Sequence, residues 1–168
     1  MFTLERAQVI PRPREEVFRF FEDPRNLAEI TPKEMGFEIV EIDELPVRPG
    51  FRIVYRIKWA GIGLKWVTTI SEYDAPNGFA DVQAKGPYKH WHHEHTFEDL
   101  GDGQTMMRDR VRYELPFGIL GAVMHRLVVA RQLRRIFDYR ARQINTLFPP
   151  PASPATGISN PETAQTES

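Results

Sequence analysis

Apolar and polar residues alternate along most of the stretch from residue 35 to residue 115, and this period of two predicts β-strands. The clearest runs are residues 51–59 and 64–70, which a turn containing Gly61 and Gly63 separates. Asn77-Gly78 and Gly86-Pro87 mark further short turns. Closely spaced strands joined by short turns predict an antiparallel meander.

Helical patterns flank these strands. Residues 2–10 predict a first strand, and two short helices follow it: Pro13 opens the first, and Asp23-Pro24 begins the second, which Pro32 ends. Beyond Pro116 the spacing predicts one long helix to about Phe148. Its first half, residues 119–130, is apolar nearly all round, whereas its second half is amphipathic. The predicted outer face of that second half carries Arg131, Arg134, Arg135, Arg140 and Arg142.

These elements predict a single α+β domain over residues 1–148. About seven antiparallel strands would curve around the long C-terminal helix, with the two short helices after the first strand. Residues 149–168 are rich in Pro, Ala, Ser and Thr without periodicity, which predicts a disordered tail. A curved sheet around a helix leaves a gap, and gaps of roughly 300–1,000 Å³ are common ligand sites.

Composition narrows the class of function. The 168 residues carry a formal net charge of −1, which gives no electrostatic reason to expect a nucleic-acid partner. The chain has no cysteine, so disulfides and thiolate metal ligands are excluded. Because no apolar run is long enough for a transmembrane segment and the first residues lack a signal-peptide pattern, we expect a cytoplasmic protein.

Polar, titratable residues stand at inward positions of the predicted sheet. The period of two places Trp91, His93, His95 and Phe97 on one face, and it groups Phe79 with Asp81 and Gln83, and Asp109 with Tyr113. Burying such groups without partners costs several kcal/mol. They therefore satisfy one another or meet a ligand.

Two interpretations involve no reaction. In the first, the polar groups form a hydrogen-bonded network that fixes the strand register. In the second, they are the polar floor of an apolar pocket and orient the head group of a small molecule. The ligand-binding residues predicted on this basis are Tyr55, Trp59, Trp66, Phe79, Asp81, Gln83, Trp91, His93, His95, Asp109 and Tyr113 from the strands, and Leu120, Val123, Met124 and Leu127 from the long helix.

A third interpretation is catalysis, with His93 or His95 as a general base held by Asp109 or Asp81. No nucleophile elbow or glycine-rich phosphate loop accompanies these residues, so no catalytic residue is assigned and a non-enzymatic role is favoured. His93, His95 and Asp109 also match a facial triad of the non-haem iron type. Since a histidine pair on a strand is more often a hydrogen-bonded core feature, we expect no metal and no cofactor.

Several short motifs give the chain a family resemblance over residues 2 to about 147. They are Val17-Phe18-x-x-Phe21, Ile30-Thr31-Pro32, Phe79-x-Asp81-x-Gln83, Gly86-Pro87-Tyr88, Trp91-x-His93-x-His95-x-Phe97, Asp109-x-Val111-x-Tyr113, Leu115-Pro116-Phe117-Gly118 and Ile136-Phe137-x-Tyr139-Arg140. Together they resemble the SRPBCC or START-like superfamily, and more closely its polyketide cyclase/dehydrase-like bacterial branch, which also occurs fused ahead of sugar-epimerase-like domains. Gly103-Gln104-Thr105 departs slightly, since the family often has Gly directly before Thr.

The resemblance implies the helix-grip fold of birch-pollen allergen and a cavity for a hydrophobic or amphipathic small molecule. The expected function is binding of such a molecule as a carrier or sensor. The alternative is a cyclase or dehydratase that uses a cavity His–Asp pair as general base on a polyketide-like carbonyl substrate. We further expect a monomer or homodimer, with transient membrane contact available to the apolar residues 119–130.

Overall fold

The computed structural model of the protein describes residues 1–59, 61–116, 123 and 128–150. Within them the chain folds into seven strands, two α-helices and two short 3₁₀ helices. In chain order these are β1 (Phe2–Ile10), α1 (Arg14–Glu22), the 3₁₀ helices Pro24–Ala28 and Lys33–Met35, β2 (Glu38–Ile42), β3 (Arg52–Trp59), β4 (Ile62–Asp74), β5 (Gly78–Lys85), β6 (His90–Gly101), β7 (Gln104–Glu114) and α2 (Ala130–Leu147).

The strands form one antiparallel sheet in the order β1-β7-β6-β5-β4-β3-β2. Strands β2 to β7 are a meander, and β1 pairs with β7 at the far end. The predicted helix-grip class, a curved seven-stranded antiparallel sheet with short helices and a C-terminal helix, is confirmed. Both helices begin where the sequence predicts. Pro13 precedes α1, and the Asp23 side chain accepts a hydrogen bond from the Arg25 backbone N–H at the start of the next helix.

Helix α2 covers one face of the sheet. Its buried stripe of Leu133, Phe137 and Ile144 packs against apolar side chains of β1, β6 and β7, among them Val111 and Phe97. The four residues from Leu133 to Phe137 and the seven from Phe137 to Ile144 match helical spacing, so one side of α2 supplies the contact. This stripe holds the helix over the polar positions of the sheet.

One prediction about α2 is wrong. Arg131, Arg134, Arg135 and Arg142 are exposed as predicted, but the Arg140 side chain is only 12% exposed. Arg140 lies three residues after Phe137 on the buried side of the helix, where its aliphatic stem packs and its guanidinium turns inward.

Some predictions fall outside the described residues. These include Leu120, Met124 and Leu127 of the predicted pocket, the side chain of Trp59, and residues 151–168 of the predicted tail. Among the helices that the structure describes, none is long and apolar enough to cross a membrane.

Candidate functional site

The register of β5, β6 and β7 assembles four titratable side chains on the face that α2 covers. Asp81 lies opposite His93 across β5 and β6, and His95 lies opposite Asp109 across β6 and β7. Directly paired side chains of an antiparallel sheet share a face, so the four groups meet. His93, His95 and Asp109 are buried, and the Asp81 side chain is 14% exposed. We call Asp81, His93, His95 and Asp109 the His–Asp cluster.

Gly78 sets the approach of β5 to β6 beside this cluster. A Cβ atom at position 78 would overlap the carbonyl oxygen of His95. That oxygen belongs to the backbone of a paired strand and cannot turn aside as a flexible side chain would. A residue without a side chain at position 78 therefore lets the two strands come together at His95.

Asp109 holds both imidazole rings from one side. Its Oδ1 atom lies 3.0 Å from Nε2 of His93 and 2.7 Å from Nδ1 of His95. A carboxylate only accepts hydrogen bonds, so these two nitrogens carry the ring protons. The His93 contact is a hydrogen bond; in the His95 contact the N–H points away from the ideal direction, which makes it a close polar contact.

Asp81 faces the opposite nitrogen of each ring. Its Oδ2 atom lies 3.6 Å from Nδ1 of His93 and 3.8 Å from Nε2 of His95. Both distances are too long for hydrogen bonds. The indole N–H of Trp91 acts on Asp81 as a donor that lowers the pKa of this carboxyl. Each imidazole thus has one nitrogen on Asp109 and the other directed at Asp81.

Arg140 is a functional candidate that the sequence interpretation missed. Its Nη1 atom lies 3.7 Å from Oδ1 of Asp109, and its guanidinium lies 4.9 Å from the centre of the Phe137 ring. Its Nε and Nη1 groups are buried and have no hydrogen-bond partner among the described residues. A usable signal existed, because positions 133, 137, 140 and 144 form one helical stripe.

Burial and proximity shift the pKa values in opposite directions. Burial raises the pKa of Asp81 to about 6, although His95 and Arg140 act against that shift. Burial, reinforced by His95, lowers the pKa of His93 to about 3, so this ring is neutral at pH 7. Burial would also raise the pKa of Asp109, but the hydrogen bond from His93, the close polar contact with His95 and the nearby Arg140 outweigh it and hold the pKa below its usual range.

Two adjoining chambers lie between the sheet and the helices. The inner chamber, of about 130 Å³, contains Asp81, His93 and His95 in its wall together with apolar groups such as Phe79 and Ile70. The outer chamber, of about 120 Å³, is lined mainly by aromatic and aliphatic side chains, including Trp66 and Phe137. The residues common to both walls are Leu27, Tyr55, Trp91, His93 and Arg140. Each chamber is smaller than the gap expected from the fold, because large aromatic side chains fill much of the space.

The remaining predicted residues divide between the chambers and the surrounding structure. Phe79 lines the inner chamber, Trp66 the outer one, and Tyr55 and Trp91 both. Asp109, Gln83 and Tyr113 line neither. The Gln83 side chain instead binds the backbone of Tyr88, donating to its carbonyl at 2.7 Å and accepting from its N–H at 3.2 Å. Val123 is 48% exposed.

The chemistry available to the inner chamber is that of proton acceptors and metal ligands. Asp81, with its pKa raised to about 6, is a stronger base near neutral pH than His93, whose pKa is lowered to about 3. The sequence interpretation had taken an imidazole as the base. Asp81, His93 and His95 each offer one ligand atom, and these three atoms lie within 4.8 Å of one another. The third candidate ligand is thus Asp81, whereas the sequence had suggested Asp109.

Known structures share this architecture. The nucleoside-diphosphate sugar epimerase from Corynebacterium glutamicum is similar with 27% identity, over 84% of this chain and 28% of that chain, at a TM-score of 0.60. The di-domain ARO/CYC BexL from the BE-7585A biosynthetic pathway is similar with 17% identity, over 89% and 48%, at a TM-score of 0.65. A START superfamily protein from Mycobacterium smegmatis is similar with 12% identity, over 86% and 98%, at a TM-score of 0.65.

The chain therefore spans about half the length of BexL and about a quarter of the epimerase, while it spans nearly all of the START protein. No curated protein matches its sequence. The family model described as polyketide cyclase / dehydrase and lipid transport matches residues 10–138, which is most of the chain. The chain belongs to the polyketide cyclase / dehydrase and lipid transport family.

Proposed function

We propose that the protein binds a hydrophobic or amphipathic small molecule in the two chambers, as a carrier or sensor. The observation that carries the proposal is a set of buried hydrogen-bond donors without partners in an otherwise aromatic cavity wall. Trp66 Nε1 and Arg140 Nε and Nη1 are such donors among the described residues, and both side chains line the outer chamber.

The size of the chambers limits the ligand. An apolar cavity of about 150 Å³ holds one benzene molecule. Each chamber is slightly smaller than this, at about 130 and 120 Å³. Because the two share a wall, a molecule with about two fused rings would span them if the side chains between them turn aside.

The unpartnered donors indicate the polar part of the ligand. A buried donor left without an acceptor costs about 1–3 kcal/mol. A carbonyl or carboxylate oxygen near Trp66 and Arg140 would remove that cost, and the guanidinium favours a negative charge. The ligand class is therefore an aromatic or alicyclic molecule with an acidic or carbonyl oxygen.

The family and the neighbours support the hydrophobic part of this ligand class. The family description combines polyketide cyclases and dehydrases with lipid transport, and the ARO/CYC and START proteins share the fold. These likenesses support a hydrophobic ligand, and the donors of this chain supply its polar end. Cytoplasmic location and a monomeric or dimeric state stay predictions within this proposal.

Equilibrium dialysis with two probes tests it. 2-Naphthoate and 2-methylnaphthalene have the same fused rings, but only the first carries a carboxylate. Since hydrogen bonds to a charged group contribute about 1.5–3 kcal/mol, the wild-type protein should bind naphthoate about 10- to 100-fold more tightly. The substitution Arg140→Met should remove this preference and leave 2-methylnaphthalene binding in place.

Matched variants control for indirect effects. Arg135→Met removes an arginine from the same helix whose side chain is 77% exposed, and it should keep the preference. Leu27→Trp places a bulky ring where the chambers meet and should weaken both probes, whereas Leu100→Trp, at a residue 45% exposed, should weaken neither. Binding of neither probe below about 1 mM would refute the proposal. So would equal behaviour of the Arg140 and Arg135 variants.

A second candidate function is catalysis of the cyclase or dehydratase type. It is favoured by Asp81 and His93 lying in the wall of the inner chamber, where a carbonyl substrate would meet two proton acceptors. The corresponding test is turnover of a linear poly-β-ketone by the wild-type protein, followed by mass and absorbance changes of the products. Product formation that Asp81→Asn abolishes and Asp138→Asn leaves intact would establish this function; binding without turnover would exclude it for that substrate.

A further inference from the structure

The inner chamber brings three acceptor atoms together. The ring protons of His93 and His95 lie on the nitrogens beside Asp109, at 3.0 and 2.7 Å. In the neutral form of each ring the opposite nitrogens, Nδ1 of His93 and Nε2 of His95, therefore carry lone pairs. Both are directed at Oδ2 of Asp81, which is itself an acceptor. Three acceptors that face one another repel unless a positive charge lies between them.

The charges around this point are unbalanced. Asp109 has Arg140 at 3.7 Å as its cationic neighbour. Asp81 has no lysine or arginine within ion-pair distance among the described residues; its polar neighbours are the two imidazoles and the Trp91 indole. With both carboxylates ionised, both imidazoles in the neutral form that binds metals and Arg140 charged, the cluster has one negative charge in excess. A bound cation corrects this excess.

We propose that Asp81, His93 and His95 bind one divalent first-row transition-metal ion of the zinc or iron(II) class. Two imidazole nitrogens and one carboxylate oxygen are the ligand set of such ions, and three protein ligands leave coordination positions free for another molecule. The ligand atoms are Nδ1 of His93, Nε2 of His95 and Oδ2 of Asp81. Asp109 contacts the opposite nitrogen of each ring, so it is a positioning residue and not a ligand.

The distances suit this assignment. Metal–ligand bonds of about 2.0–2.2 Å in a tetrahedral site place ligand atoms about 3.4 Å apart. The two N–O distances are 3.6 and 3.8 Å, and all three ligand atoms lie within 4.8 Å of one another. Small rotations of the rings and the carboxylate would bring the atoms to bonding distance.

Asp109 adds a second, independent feature of a metal site. Metal-binding histidines usually donate their other ring N–H to a carboxylate or carbonyl, which fixes the tautomer and orients the lone pair at the metal. Asp109 contacts the far nitrogen of both rings. A network that served only to fix strand register would not need both histidines to direct their free nitrogens at one carboxylate.

Metal titration of tag-free, chelator-treated protein tests the proposal without any organic ligand, so its outcome is separate from that of the naphthoate experiment. Cobalt(II) absorption and zinc calorimetry should show one ion per chain. Asp81→Asn and His95→Gln should weaken binding at least 100-fold, while Asp109→Asn should weaken it about 10- to 100-fold and keep the one-to-one stoichiometry. His90→Gln, at an exposed histidine of the same strand, should have no effect.

Two results would overturn the inference: no zinc or cobalt binding below about 1 mM in the wild-type protein, or unchanged affinity in Asp81→Asn and His95→Gln. Far-UV circular dichroism verifies that each variant is folded. If His95→Gln does not fold, Asp81→Asn decides, because it keeps the side-chain shape and removes only the charged ligand. The cobalt spectrum of the wild-type protein gives an additional criterion, since nitrogen and oxygen ligands in a four-coordinate site give intense visible bands that surface binding does not.

Discussion

The contact between Gly78 and β6 leads to a prediction about two glycines of the same sheet. Gly78 starts β5, and an added Cβ would overlap the backbone oxygen of His95. Gly63 lies in β4, and an added Cβ there would meet nothing within 4 Å. Neither glycine has a positive φ, so alanine is free of backbone strain at both positions. The same substitution should therefore act in opposite directions.

The magnitudes follow from the two surroundings. Alanine in place of glycine in a strand should gain about 0.5–1 kcal/mol from the smaller entropy of the unfolded chain. At position 63 this is the whole effect, so Gly63→Ala should be stabilising by about that amount. At position 78 overpacking against a backbone atom costs about 1–3 kcal/mol. Gly78→Ala should then be destabilising by about 0.5–2 kcal/mol after the entropy gain is subtracted.

Urea unfolding followed by far-UV circular dichroism measures both changes as shifts of the transition midpoint at constant slope. A change of 1 kcal/mol also corresponds to a shift of roughly 2–4 °C in Tm for a chain of this size. The reasoning is refuted if Gly78→Ala is as stable as the wild type, or if Gly63→Ala loses as much stability as Gly78→Ala.

Three further substitutions test the site by comparison with a partner residue. Asp109→Asn removes the counter-charge of buried Arg140 and should lower the free energy of unfolding by about 3–5 kcal/mol. The Asp138 side chain is 54% exposed, so Asp138→Asn should change the free energy of unfolding by less than about 1 kcal/mol. Chemical denaturation of the two variants measures both changes. Trp91→Phe removes the indole N–H beside the Asp81 carboxylate and should cost about 1.5–3 kcal/mol more than its smaller ring alone predicts. Trp66→Phe removes a donor without a hydrogen-bond partner and should cost no more than its smaller ring predicts; equal losses beyond ring size in thermal scans would contradict this. Gln83→Leu removes both hydrogen bonds to the Tyr88 backbone, so we expect a lower Tm with unchanged naphthoate affinity. A loss of affinity without a loss of stability would show that Gln83 acts on the ligand instead.

The sequence predicted the fold because its signals are local. Alternation identified the strands, and Pro13 and Asp23 marked the helix starts. The same alternation predicted that His93 and His95 share a buried face. A period of two does not give the register, however. That Asp81 pairs with His93 and Asp109 with His95 depends on the turn lengths between β5, β6 and β7.

For this reason the sequence suggested Asp109 as the third metal ligand, whereas the structure indicates Asp81. Both aspartates lie on the correct face, and the sequence alone offers no reason to prefer either one. The structure separates them because the His93 and His95 rings each place one nitrogen at Asp109 and the other toward Asp81. Side-chain rotation, which no residue pattern encodes, decides which carboxylate orients the rings and which one faces the chamber.

Arg140 was missed for a different reason. Charged residues at helical spacing usually mark a solvated face, and four of the five predicted arginines obey that rule. The fifth shares a stripe with Leu133, Phe137 and Ile144, and a charge on an apolar stripe indicates a buried partner. The position of Arg140 on this stripe distinguishes it from the other four arginines, whereas the composition of the helix as a whole does not.

The two proposals are physically linked, and the link is testable. With both imidazoles neutral and no metal, the cluster and Arg140 have one negative charge in excess; a divalent ion changes this to one positive charge in excess. An anionic ligand in the adjoining chamber should therefore bind more tightly when zinc is present, whereas a neutral ligand of the same shape should not. Since coupling between two binding sites is reciprocal, naphthoate should raise zinc affinity by the same factor, typically about 5- to 150-fold. Dialysis of 2-naphthoate and 2-methylnaphthalene with and without zinc measures the factor, and calorimetry of zinc with and without naphthoate should give the same factor. If zinc binds but changes the affinity of both probes equally, the ion does not act on the ligand through its charge, and the two sites are independent.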